Sequence, residues 1–109
     1  MSHELSQSRD PDLVELEVAG RSGDVGRAVV AAAESLGLRI TSDGRLRMYP
    51  GSRHWHLKRA AVSGTLEVTW WPARDRLWVA YHSNRVGNGW VEEDAPRLAS
   101  LLAQELGEP

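Results

Sequence analysis

The chain has 109 residues, 41% of them hydrophobic and 26% charged, with a formal net charge of −2. That length fits one domain around one core, and that balance excludes a disordered polymer. There is no cysteine, which excludes disulfides, thiolate metal sites and thiol catalysis.

Residues 1–11 are polar and end in Asp10-Pro11, so they read as a disordered tail before a single domain at 12–107. Leu13 to Val18 alternates, with Val14, Leu16 and Val18 inward and Glu15 and Glu17 outward, as a half-buried strand requires. Ser22 or Asp24 can cap a following helix, along which Val25, Val29, Ala32 and Leu36 recur at helical spacing until Gly37 stops it. A strand at Leu38 and Ile40 then meets a turn signal at Ser42-Asp43-Gly44, and Leu46 and Met48 resume an inward phase as far as Pro50-Gly51.

Three further strands follow, at Arg53–Arg59, Thr65–Trp71 and Arg76–His82. The four-residue loop Pro72–Asp75 sets a hairpin in which Trp71 faces Arg76, Trp70 faces Leu77, Val68 faces Val79 and Leu66 faces Tyr81. Every inward residue then meets an inward residue, and a one-residue slip would pair core with solvent along the ladder. The preceding loop allows Leu57 opposite Leu66 and Trp55 opposite Val68. After Gly87-Asn88-Gly89, the stripe Val91, Ala95, Leu98, Leu102 and Leu106 predicts a last helix, with Pro96 placing its start near Asp94.

The predicted fold is therefore α+β in the order β-α-β-β-β-β-β-α: a single antiparallel sheet of five to six strands with both helices on one face. The other face collects Arg45, Arg47, Tyr49, His54, His56, Lys58, Thr65, Glu67, Thr69, Trp71, Arg76, Trp78 and His82. Solvated antiparallel faces are normally Thr-, Lys- and Glu-rich, so two Trp, a Tyr and three His here call for a reason. No nucleophile elbow, P-loop or metalloprotease helix is present.

The preferred expectation is a non-enzymatic binding or interaction module, self-associating as a homodimer or meeting another protein. It would use Trp71 and Trp78 as anchors with Arg47, Tyr49, His54, His56, Lys58 and Arg76 around them. Single-stranded nucleic acid is an alternative partner, since aromatic platforms with cations suit it, although the chain is acidic overall. A divalent metal site is another: His54 and His56 form an H-x-H on one strand face, with Glu67 beside His56 and His82 one strand further over. The element order, with Gly89-Trp90 before a leucine-striped helix, resembles helix-grip ligand binders, which implies a small-ligand cavity between sheet and helices. No cofactor is expected. With no signal-peptide core and no apolar run of spanning length, the expected setting is the cytoplasm, away from membranes.

Overall fold

The structure, a computed structural model, describes residues 12–18, 23–83 and 89–107. The expected tail at 1–11 and the turn residues Gly20 to Ser22, Gly87 and Asn88 lie outside them. The elements are β1 (Leu13–Glu17), α1 (Val25–Leu36), β2 (Arg39–Gly44), β3 (Arg53–Lys58), β4 (Leu66–Trp71), a 3₁₀ turn (Pro72–Arg74), β5 (Arg76–His82) and α2 (Gly89–Gly107). All strand pairs are antiparallel, and the sheet order is β1-β5-β4-β3-β2. Strands β2 to β5 form a meander, and α1 carries the chain from one sheet edge to the other.

Alternation fixes which face is covered. Trp55, Leu57, Leu66, Val68, Leu77 and Val79 join Val25, Val29 and Ala32 of α1 and Val91, Ala95, Leu98, Leu102 and Leu106 of α2 in one buried cluster. Both helices therefore pack on the same side of the sheet. The hairpin register is the one the pattern demands, with Trp71 opposite Arg76, Trp70 opposite Leu77 and Val68 opposite Val79. Leu57 opposite Leu66 and Trp55 opposite Val68 hold as well. Asp75, in the left-handed region at φ 55°, closes the hairpin by donating its N–H to Pro72 O, a conformation Asp tolerates in turns.

Helix α1 is bounded by local chemistry. The Asp24 side chain accepts from the Arg27 N–H at 3.1 Å, which selects Asp24 as the cap. Gly37, at φ 70°, donates its N–H to Glu34 O while Leu38 donates to Ala33 O, the paired closure that favours glycine at this position.

Three expectations need correction. Ser42-Asp43-Gly44 does not turn; it extends β2, with Ser42, Asp43 and Gly44 opposite His56, Trp55 and His54 after a bulge at Thr41. Pairing with β3 and the Asp43–Arg53 ion pair, at 3.1 Å, outweigh the local turn preference. Residues 45–52 consequently form a loop instead of a sixth strand, and Met48, expected inward, is 67% exposed. Helix α2 begins at Gly89, so Pro96 lies inside it. Pro96 sits on the exposed side, where the carbonyl it leaves without a helical donor can be hydrated.

Between sheet and helices, where the helix-grip resemblance would put a cavity, lie Leu57, Leu66, Val68, Leu77, Val79, Leu98 and Leu102, each 0% exposed. A groove of about 480 Å³ opens outward at the sheet's edge between α1 and β2, beside Arg27, Val30, Ile40 and Arg53. No helix among the described residues is long and apolar enough to cross a membrane.

Candidate metal centre

Two cross-strand rows organise the uncovered face. One runs Gly44, His54, Thr69, Trp78, Glu17; the next runs Ser42, His56, Glu67, Ala80, Glu15. Directly opposed residues share a face at short range, so register alone places His54 by Thr69 and His56 by Glu67.

The two halves of these rows behave differently. On the β5 side, the loop at 45–52 folds over the sheet and lays Tyr49 between the tryptophans, 4.8 Å from the Trp71 ring and 5.3 Å from Trp78. The Trp71 indole N–H donates to Pro50 O at 3.0 Å. Arg74 lies over Trp71 and Arg76 over Trp78, at 5.4 and 4.0 Å, while Arg76 also pairs with Glu17. Trp78 is only 3% exposed. The expectation of Trp78 as an exposed anchor is therefore corrected: Tyr49 and Arg76 cover it from within the chain. Trp71 is half-buried.

Lys58, assigned to the binding surface by the pattern, donates to Thr65 Oγ1 at 2.7 Å. Arg47 and its neighbour Arg45 are exposed in the loop.

On the β3–β4 side the groups converge. His54 Nε2 lies 3.1 Å from His56 Nε2 and 3.4 Å from Glu67 Oε1. One donor atom from each of the three residues falls within 4.8 Å of the others. Zinc–nitrogen bonds of 2.0–2.1 Å in tetrahedral geometry place neighbouring donors roughly 3.3 Å apart, so two of the three edges already have the spacing of a coordination shell. The neighbours of the donors on these rows are small, Gly44 and Ser42 on β2 and Ala80 on β5.

His54 is the pivot. It is 9% exposed, and its second ring nitrogen, Nδ1, lies 2.7 Å from Thr69 Oγ1. Ligating imidazoles characteristically have the other nitrogen held by a hydrogen-bonding group. Glu67 titrates below its usual range, chiefly through its hydrogen bond with His54; the charges of His54, His56 and His82 act in the same direction, and burial opposes them. His82, expected as a fourth ligand, is not among the gathered donors, although its charge reaches Glu67.

Sequence reasoning placed His54, His56 and Glu67 together correctly. It put Thr69 on the face without giving it a role, because no spacing rule marks a threonine as a histidine's partner. It also missed that Tyr49 closes the aromatic half, since the loop's path depends on β2 extending to Gly44.

No family model, no curated protein and no solved structure compared with this chain matches it.

Proposed function

We propose that the chain is a non-enzymatic binding module whose ligand is a divalent transition-metal ion, held on the sheet face opposite the helices by His54, His56 and Glu67. The observation that carries this reading is the convergence of His54 Nε2 with His56 Nε2 at 3.1 Å and with Glu67 Oε1 at 3.4 Å. Two imidazoles and one carboxylate favour zinc, nickel or cobalt over magnesium or calcium, which prefer all-oxygen shells. Three protein donors leave one position of a tetrahedral ion open for water or another ligand. A cysteine-free chain has no thiol to oxidise or to compete for the ion, which is compatible with the cytoplasmic setting adopted as part of this proposal.

The rival readings of the face lose support from its own packing. Aromatic platforms for single-stranded nucleic acid need open ring faces, whereas Tyr49, Arg74 and Arg76 occupy those of Trp71 and Trp78.

Thermal unfolding with added metal tests the proposal. A ligand that binds only the folded state at 100 times its dissociation constant adds about 2.7 kcal/mol, so zinc or nickel should raise the melting temperature by several degrees while magnesium does not. His56→Ala should abolish the rise. An unchanged melting temperature in zinc, or a rise that survives in His56→Ala, rejects the site.

A further inference from the structure

We infer that the outer edge of β1 docks an extended, cationic segment of another protein, added antiparallel to the sheet as one more strand beside Leu13, Glu15 and Glu17. The inference is independent of the metal reading, since β1 supplies none of the three donors.

The sheet ends at β1, and among the described residues no strand pairs with its outer side. Val18 donates its N–H to Leu77 O at 2.9 Å, and Ser83 donates to Asp12 O at 2.8 Å. In an antiparallel ladder, residues of that parity turn their backbone groups to β5, and the alternate ones turn theirs away. Leu13, Glu15 and Glu17 therefore present N–H and C=O groups outward. All five residues of β1 pair with β5 in unbroken register, with no bulge and no proline. The opposite edge, β2, is interrupted by the bulge at Thr41, a device that blunts edge pairing.

The two sides of β1 define the occupant. On the helix side Val14 and Leu16 are only half-buried, whereas Leu66, Val68, Leu77 and Val79 on the strands further in are each 0% exposed. Those inner residues have a strand on both sides. An added strand would give Val14 and Leu16 the same cover through apolar side chains at alternate positions. On the open side Glu15 and Glu17 are exposed. Glu17 pairs with Arg76, and Glu15 forms no ion pair among the described residues.

Opposite charges facing each other across a ladder stabilise it and like charges oppose it, so the added strand carries Lys or Arg opposite Glu15. A second copy does not fit: two β1 strands overlapped antiparallel would set Glu15 against Glu15. In strand addition, backbone hydrogen bonds supply the affinity and alternate side chains the specificity. The occupant that satisfies both rows alternates cationic and apolar residues.

Amide hydrogen exchange of the full chain, read by NMR, tests this with the synthetic peptide Lys-Val-Lys-Val-Lys-Val-Lys as probe. Alone, the chain should exchange the Glu15 and Glu17 amides fast and the Leu16 amide slowly. The peptide should slow Glu15 and Glu17 by about tenfold or more, a pattern of alternate residues that loose charge attraction would not produce. Glu15→Lys, an exposed change that leaves the bonds to β5 in place, should abolish the effect, and a Glu-Val peptide of the same length should have none on the parent. Unchanged Glu15 and Glu17 exchange at millimolar peptide overturns the inference. So does slowing that survives in Glu15→Lys or is matched by the Glu-Val peptide. Slow exchange of both amides in the chain alone, lost on dilution, would give the edge to a second copy and equally overturn it.

Discussion

Trp78 and His54 flank the same residue, Thr69, on one cross-strand row, yet one indole is sealed and one imidazole is gathered into a polar cluster. The difference comes from what each meets above the sheet. Tyr49 and Arg76 supply Trp78 with an edge-on ring and a stacked guanidinium, so its apolar area is removed from water within the chain. His54 meets His56 and Glu67, polar groups 3.1 and 3.4 Å from its Nε2. Because Glu67 is held below its ordinary range by the His54 hydrogen bond, its carboxylate form is favoured in the folded state. A depressed carboxyl contributes stability that is present above its unfolded value, near 4.5, and is lost as pH falls through the lower folded value. The metal-free domain should therefore lose stability more steeply below about pH 4.5 than Glu67→Gln does. Urea unfolding at pH 5 and pH 3 compares the two slopes; parallel behaviour would show that Glu67 makes no such contribution.

At the level of elements, local preference and tertiary context disagree in two places. The turn signal at Ser42-Asp43-Gly44 yields to pairing with β3, and the bulge at Thr41 absorbs the change of phase. Helix α2 continues through Pro96 because its buried stripe, from Val91 through Ala95, Leu98 and Leu102 to Leu106, anchors both sides of the proline. Asp94 adds to that anchoring: it is 2% exposed and paired with Arg59 of the β3–β4 loop and with Arg97. An interior proline is about 3 kcal/mol less favourable than alanine in a helix, partly offset by its stiffening of the unfolded chain. Pro96→Ala should thus stabilise the domain by about 2 kcal/mol in chemical denaturation. A loss of stability instead would mean that the proline's own packing outweighs the missing hydrogen bond.

Across the whole molecule, the helices take one face of the sheet and leave the other to its own side chains and the loop at 45–52. That loop changes what the second face can do with a partner. Self-association was expected to rest on two tryptophans; with Trp78 sealed, Trp71 is half-buried and Met48 stands 67% exposed beside Tyr49 in the sequence. Only one of the two expected anchors is thus left to a partner. The metal-free protein should therefore sediment as a monomer at micromolar concentration. A dimer that dissociates in Trp71→Ala would restore the larger interface.

How much of this was legible beforehand follows from the range of the forces involved. Alternation along β3, β4 and β5 excluded any one-residue slip. The four-residue loop Pro72–Asp75 then selected the β4–β5 register, and the observed β3–β4 register is the one the pattern allowed. From those registers came the proximity of His56 and Glu67, so the candidate site was visible as a row. The helical stripes and Gly37 were equally readable, since each depends on neighbours within a turn or two. The tertiary structure alone decided the path of residues 45–52, the burial of Trp78 beneath Tyr49, the contact of His54 Nδ1 with Thr69 and the passage of α2 through Pro96. Each of these depends on where distant segments pack against one another, and no local period carries that information.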